Sequence, residues 1–203
     1  MTLSDGMWSG QSCLIVGGGP SLRGWEGLIY NRLGRSPIDY AFEAGRFEMI
    51  ALNHAMTALW SASLWLGVDS VYWRKKAPMY GDKPPPRTWV DHGEKHPGED
   101  KVDLVIPCAA PPETPNRHWA LSWGRSLAEG VGCGGNSGFA ALNLADVLGA
   151  ETVYLLGFDL RGENGRTANW HDGYAEKPVN ESVYDRFLES FRWAASQVRA
   201  KVV

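Results

Sequence analysis

The sequence Cys13-Leu14-Ile15-Val16-Gly17-Gly18-Gly19-Pro20-Ser21-Leu22 joins an apolar strand directly to three consecutive glycines. Continuous apolar runs of this length are typical of strands that are covered on both faces, as in a parallel sheet. Glycines let the backbone adopt positive φ and let a ligand approach N–H groups with no Cβ in the way. A helix that opens after such a turn offers unpaired N–H groups to a phosphate. The stretch therefore predicts an α/β fold with an anion-binding turn at Gly17, Gly18, Gly19 and Ser21. A tight strand–helix turn without a ligand is the alternative, because Leu22 departs from the GxGxxG spacing of dinucleotide-binding folds.

Further apolar runs of strand length alternate with helical patterns along the chain. One helix is predicted over Ser137–Leu148, ended by Gly149, and another over Glu181–Ala200. The alternation predicts one domain over residues 1–203, built on a single open, mostly parallel, doubly wound (Rossmann-like) sheet with helices on both faces. The predicted strands are Ser12–Val16, Met49–Leu52, Ser63–Val68, Val102–Pro107 and Thr152–Leu156.

The segment Ala77–Lys101 interrupts this pattern. It contains Pro84-Pro85-Pro86, further prolines and glycines, and charges of both signs, so it is predicted to be a long loop. Long loops in compact domains include lids over binding sites and plain insertions, and the sequence leaves both open.

Composition excludes several classes of protein. A net charge of −3 argues against a nucleic-acid binder, which needs clustered Lys and Arg. We find no run that resembles a signal peptide and no apolar stretch long enough to span a membrane, so a cytoplasmic protein is expected. Cys13, Cys108 and Cys133 are odd in number and widely spaced, which predicts neither a disulfide framework nor a zinc site. Cys13 and Cys108 lie in apolar runs and are expected to be inert buried thiols.

Polar residues follow the predicted strands where each strand ends. In open α/β sheets, ligands bind beyond the carboxyl ends of the strands, so these residues are candidates for a shared site. Asn53 and Asp69 could equally form turns, and Asn136 or Ser137 could simply cap the following helix. The candidate set comprises Gly17, Gly18, Gly19, Ser21, Asn53, Asp69, Asn136, Ser137, Gly138 and Asp159.

His171 is the candidate for proton transfer. It lies in a polar loop after Asp159, and a histidine on the protein surface is the equal alternative. His92 and His96 have a metal-pair spacing for a helix, but Gly93 and Pro97 disfavour a helix there, and no metal site is predicted. The sequence suggests no role for His118.

Two segments together resemble a known superfamily. Leu14–Leu22 is similar to the opening strand and glycine turn of the bacterial sialyltransferases of glycosyltransferase family forty-two, and of the related 6-hydroxymethylpterin diphosphokinase-like proteins. Asn136–Ala145 with Val153–Asp159 resembles the second signature of that superfamily. The resemblance covers about half of the chain, and it implies a nucleotide-binding α/β domain, of a kind that also occurs in bacteriophage genomes.

The resemblance also implies roles. In the sialyltransferases, the places matched by Gly17–Ser21, Asn53 and Asn136–Gly138 hold a nucleotide sugar, and a histidine in the place of His171 is the general base. The tyrosine pair of that family has no secure counterpart, and Tyr174 and Tyr184 are the only candidates. The expected function is a nucleotide-dependent transferase, most simply a nucleotide-sugar glycosyltransferase, in which Asp159 orients the loop that carries His171.

Two other functions remain open. A phage protein could bind and sequester a host nucleotide signal of cyclic or ADP-ribose type without chemistry. A pterin diphosphokinase would need ATP and Mg²⁺, for which Asp69 and Asp159 are the available carboxylates. In each case the expected partner is a small nucleotide or nucleotide sugar rather than a nucleic acid or a membrane, and the ten tryptophans leave a homo-oligomer open.

Overall fold

The structure is a computed structural model that describes residues 2–25, 41–42, 45, 47–57, 59, 61–75, 85–162 and 181–203. Seven strands form one sheet in which every pairing is parallel. The sheet order is β5-β4-β3-β2-β1-β6-β7. The strands are β1 (Ser12–Val16), β2 (Glu48–Leu52), β3 (Leu64–Gly67), β4 (Arg87–Asp91), β5 (Leu104–Pro107), β6 (Thr152–Leu156) and β7 (Lys201–Val202).

The predicted α/β class is confirmed, and the order of the strands locates its switch point. The chain adds β2 to β5 on one side of β1 and then returns to place β6 on the other side. In doubly wound sheets, the crevice for a ligand opens where this reversal occurs, here between β1 and β6. The register pairs Val16 with Leu156, so the glycine turn and the Asp159 segment leave the sheet side by side.

Apolar side chains cover the sheet on both faces. Along β1, Cys13 and Ile15 belong to one core, and Val16 belongs to the core on the opposite face. Such two-sided burial is why the strands are continuous apolar runs without alternation. Four tryptophans are almost completely buried, which assigns part of the unusual tryptophan content to the core: Trp8, Trp65, Trp73 and Trp89.

Three α-helices lie in the described residues: α1 (Ser70–Lys75), α2 (Ser137–Val147) and α3 (Glu181–Ala194). Helix α2 is buried along its whole length and packs on one face of the sheet, while Tyr72 and Trp73 of α1 belong to the core of the other face. Short 3₁₀ helices follow β1 at Pro20–Trp25 and β2 at Asn53–Thr57, and a third spans Arg117–Trp119. None of the described helices has the length and apolarity that crossing a bilayer requires.

The prediction of a loop over Ala77–Lys101 is wrong for part of that segment. Arg87–Asp91 forms β4, which pairs with β3 and β5 inside the sheet. Its central residues are buried, and the Trp89 indole N–H donates to the Val68 carbonyl at 3.0 Å. Prolines stop short of the strand itself, so they do not remove a hydrogen bond of the ladder. Residues 77–84 lie outside the described part of the chain, so the alternative of a lid there stays a prediction.

Candidate functional site

The glycine turn after β1 packs directly against the end of β6. The Gly17 N–H donates to the Leu156 carbonyl at 2.8 Å, and the Gly19 N–H donates to the Gly157 carbonyl at 2.8 Å. A Cβ on Gly17 would lie 2.7 Å from the Gly157 oxygen. Two of the three glycine N–H groups are therefore used within the fold. Gly18 carries the N–H that has no hydrogen-bond partner among the described residues.

Asp159 holds this turn in place. Its Oδ2 accepts hydrogen bonds from the Ser21 hydroxyl at 2.7 Å and from the Ser21 N–H at 3.2 Å. These bonds join residues that are 138 positions apart, so the expected meeting of the two strand ends is seen directly. What Asp159 does in this structure is position the turn after β1.

The beginning of α2 lies over the ends of β2 and β3. The Ser137 hydroxyl lies 3.5 Å from Asn53 Oδ1 and accepts from the Val68 N–H at 3.4 Å. Gly138 packs against Phe158, and a Cβ there would come within 2.5 Å of that ring. The N-terminus of α2 is therefore held between the carboxyl ends of β2, β3 and β6.

Two residues of the candidate set cap helices. Asn136 is the N-cap of α2, because its side chain accepts from the Phe139 N–H at 2.8 Å. Asp69 caps α1 in the same way, because its side chain accepts from the Val71 N–H at 2.8 Å. Both residues lie at the expected edge of the sheet, and both have a local structural role there.

The carboxylates of Asp69 and Asp159 both accept hydrogen bonds within the fold. Asp69 follows β3 and Asp159 follows β6, which are three strand positions apart in the sheet. Asp69 accepts from the Val71 N–H, and Asp159 accepts from Ser21. Magnesium binding by these carboxylates, which a diphosphokinase would need, stays a prediction.

An open cleft of about 730 Å³ lies beyond the ends of β3, β4 and β5. It is separate from the glycine turn, but its lining residue Asp69 directly follows Val68, whose N–H donates to the Ser137 hydroxyl at the start of α2. Its wall is rich in polar and titratable side chains. They include Asp69, His92, Glu94, Arg117, His118 and Trp119.

Two histidines of this cleft are in contact. The ring centroids of His92 and His118 are 4.7 Å apart. His92 Nε2 lies 3.1 Å from the Val68 carbonyl oxygen, and His118 Nε2 lies 3.1 Å from the Gly135 carbonyl oxygen. A carbonyl oxygen can only accept, so both Nε2 atoms carry the proton and each neutral ring has its lone pair on Nδ1. Burial, followed by the neighbouring His92, lowers the pKa of His118, which keeps this ring neutral at pH 7.

Charged groups beside the histidines are fixed by hydrogen bonds. Glu94 Oε2 accepts from the Ser70 hydroxyl at 2.7 Å and from the Ser70 N–H at 3.1 Å. Burial alone would raise the pKa of Glu94, but these two bonds, with smaller contributions from His92 and His118, lower it overall. Arg117 donates to the carbonyl oxygens of Ala110 and Cys108 at 3.2 and 3.1 Å. No three His, Cys, Asp or Glu side chains in the described residues are grouped as metal ligands.

The sequence pattern predicts the glycine-turn residues but not this cleft. His92 immediately follows β4, and the prolines before β4 make that strand hard to recognise in the sequence. With β4 included among the strands, His92 and Asp69 both lie at strand ends on the same edge of the sheet. His171 and Tyr174 lie outside the described residues, so the general base expected from the resemblance keeps the status of a prediction.

Comparison with known proteins adds no family assignment. No protein-family model matches the chain, and no curated protein matches it at a significant level.

Proposed function

We propose that this protein is a nucleotide-dependent transferase whose donor is a nucleotide sugar. The observation that carries the proposal is the convergence at one sheet edge of the glycine turn, Asn53 and the N-terminus of α2, beside the switch point between β1 and β6. Ligands of open α/β sheets bind in that position. The resemblance of Leu14–Leu22, and of Asn136–Ala145 with Val153–Asp159, to the sialyltransferase-like superfamily supports the same class of ligand.

The arrangement suggests a different role in the proposed transfer reaction for each part of the site. The Gly18 N–H and the N–H groups of Ser137 and Gly138, which precede the Phe139 N–H that Asn136 caps, would bind phosphate oxygens. Asn53 would contact the nucleoside. His171 would accept the proton of the acceptor hydroxyl as the bond to the sugar forms and the nucleotide phosphate leaves. Rate acceleration would come from holding donor and acceptor together and from stabilising the charge of the leaving phosphate.

A screen of ligands tests the binding step. Thermal unfolding is followed with the nucleoside monophosphates, with cytidine, uridine and guanosine nucleotide sugars, with cyclic nucleotides, with ADP-ribose and with ATP plus Mg²⁺. A ligand that binds only the folded state raises the melting temperature by mass action. Stabilisation by a nucleotide sugar and its parent monophosphate supports the proposal, and the absence of any shift across the panel refutes it.

Asn53 offers a sharp variant because its φ is +49°, a conformation that glycine adopts without cost. Asn53→Gly removes the side chain at the sheet edge while suiting the backbone. We expect nucleotide affinity to fall at least tenfold, about 1.4 kcal/mol, with no loss of melting temperature. Asn116→Gly is the matched control, since Asn116 also has a positive φ of 54° but lines the separate cleft beyond β3, β4 and β5. Equal affinity in both variants would remove Asn53 from the site.

Turnover is tested separately by chromatography of the ligand after incubation. Release of the free nucleotide, abolished by His171→Ala with nucleotide affinity retained, supports a transferase with that base. Recovery of the intact ligand from a stable complex would instead show a protein that sequesters its nucleotide.

A further inference from the structure

Cys108 and Cys133 bring their sulfur atoms together behind the cleft. The Sγ–Sγ distance is 3.7 Å, and the Cys133 thiol is oriented to donate to the Cys108 sulfur. A parallel bridge between Cys108 and Val131 places the two chain segments side by side, with Cys133 two residues further on. A disulfide has an S–S length of about 2.05 Å, so the sulfurs need to approach by only about 1.6 Å to bond.

The surroundings make the two thiols unequal. Cys108 Sγ receives the Cys133 hydrogen bond, and Cys108 is flanked by the Ala110 N–H and by Arg117. The Cys133 hydrogen bond is the largest influence, and together with Ala110 and Arg117 it outweighs burial and lowers the pKa of Cys108 to about 6. Interaction with Cys108 and then burial raise the pKa of Cys133. Cys108 is therefore the thiolate and nucleophile of the pair, and Cys133 the proton-bearing partner.

Cys108 is the least buried of the three cysteines. It is 4% exposed, whereas Cys13 and Cys133 are completely buried. Its sulfur lies 3.9 Å from the carbonyl oxygen of Arg117, a residue that lines the cleft. Burial, then Glu48, raises the pKa of the Cys13 thiol. A small neutral oxidant is therefore expected to react at Cys108 before Cys13.

We propose that Cys108 and Cys133 are a reversible oxidation site that hydroperoxides convert to an intramolecular disulfide. The Cys108 thiolate attacks the peroxide, the O–O bond breaks, and Cys108 becomes a sulfenic acid while the alcohol or water leaves with a proton. Cys133 then attacks the Cys108 sulfur, the S–O bond breaks, and the departing hydroxide takes the Cys133 proton as water. Two thiols and one hydroperoxide yield one disulfide, one alcohol and one water, with two electrons passing from sulfur to oxygen.

This reaction would fix the loop that begins α2. The Cys133 carbonyl accepts from the Asn136 N–H at 3.0 Å, and the Cys108 carbonyl accepts from Arg117. A bond between the sulfurs joins the end of β5 to the segment that presents Gly135 and Ser137. The proposal is independent of the nature of the nucleotide ligand.

The experiment treats the reduced, folded protein with hydrogen peroxide and then labels free thiols with N-ethylmaleimide after denaturation. We expect three labels before oxidation and one after it, a mass loss of 2 Da before labelling, a Cys108–Cys133 cross-linked peptide, and full reversal by dithiothreitol. The rate should rise with the Cys108 thiolate fraction and reach half its maximum below about pH 8.5, the ordinary thiol value, because the pKa of Cys108 is lowered. Three labels after peroxide treatment, or a cross-link that includes Cys13, would overturn the proposal.

Variants assign the two roles. Cys133→Ala also removes the largest influence that lowers the Cys108 pKa, so this variant should react more slowly than wild type and stop at a Cys108 sulfenic acid that dimedone traps. Cys108→Ala should abolish the reaction at both positions. Cys13→Ala is the matched control and should oxidise at the wild-type rate. If the variants at 108 and 133 fail to fold, the cross-linked peptide and the pH profile of the wild-type protein still decide the matter. Dimedone labelling of Cys133 instead of Cys108 in the wild type would contradict the assignment.

Discussion

Gly19 has no room for a side chain, because the turn after β1 and the end of β6 touch at this residue. A Cβ there would collide with Asp159 Oδ2 and lie 2.6 Å from the Gly157 carbonyl oxygen. The second obstacle is backbone and cannot rotate away. Gly19→Ala is therefore expected to destabilise the fold by about 2–3 kcal/mol, as overpacking of a close contact does. Urea unfolding measures the change, and nucleotide binding should weaken with it.

The control for this prediction is Gly10→Ala. Gly10 has a φ of +76° and no atom within 4 Å of an added Cβ, so this change reports only the cost of a left-handed backbone, about 1 kcal/mol. Equal losses in the two variants would show that close packing of β1 against β6 is not what Gly19 provides.

His118 gives the stability of the protein a dependence on pH. Burial and His92 lower its folded-state pKa, so the unfolded chain binds more protons as the pH falls below about 6.5. The contribution of neutral His118 to the free energy of unfolding is thus fully present above about pH 6.5. It is lost as the pH falls from there towards the folded-state pKa of His118. We expect His118→Gln, which keeps a donor for the Gly135 carbonyl, to lose less stability than wild type between pH 7.5 and pH 5.5.

Urea unfolding at both values of pH tests this expectation, and the exposed His96 supplies the comparison through His96→Gln. Glu94 titrates at lower pH, because its pKa lies below the ordinary carboxyl value, and so adds little over this interval. An identical pH response in wild type and His118→Gln would show that His118 is not the group responsible.

Among the structural elements, helix α2 has an N-cap residue, Asn136, whose capping role can be tested separately from a ligand-binding role. Asn136 accepts from the Phe139 N–H, and substitution of an N-cap asparagine by alanine costs about 1 kcal/mol. Asn136→Ala should lose that amount, while Asn136→Ser, an equally good and uncharged cap, should keep the wild-type stability. Calorimetric titration with the nucleotide found by the ligand screen should give the same affinity for wild type and Asn136→Ser. A tenfold weaker Asn136→Ser would reveal a direct contact of the Asn136 side chain with the ligand.

The elements also show which parts of the structure a sequence can predict. Strands β1 and β6 were predicted with their observed ends, because both faces of a central strand are buried and the run of apolar residues is continuous. β4 was missed because Pro84-Pro85-Pro86 precede it and because it begins and ends with the charged residues Arg87 and Asp91, which interrupt the apolar run. β7 has two exposed residues and no pattern to recognise. Ser137–Leu148 was correct to one residue, whereas the helix predicted over Glu181–Ala200 ends at Ala194.

The contacts of the candidate site that follow from sheet topology can be predicted from the sequence, whereas those that depend on loop packing cannot. Strand ends that share one edge of a parallel sheet must meet, which is why Ser21 with Asp159, and Asn53 with Ser137, are found together. The internal use of the Gly17 and Gly19 N–H groups is a property of loop packing, which no residue pattern encodes. The pairing of His92 with His118 depends on β4 and on the 3₁₀ turn Arg117–Trp119, and neither was recognised.

For the whole molecule, the order of the sheet predicts a gradient of local stability. β1 is paired on both sides, with β2 and β6, and both of its faces are buried. β5 and β7 lie at the two edges, β5 has Val105 half exposed, and β7 is exposed throughout. Amides that open only on global unfolding exchange slowest, and those at frayed edges exchange fastest. Hydrogen–deuterium exchange should therefore be slowest in β1, intermediate in β3, and fastest in β7, where the Val203 N–H bond to Val153 should be among the first lost. Faster exchange in β1 than in β5 would contradict the central position of the strand on which the proposed nucleotide site depends.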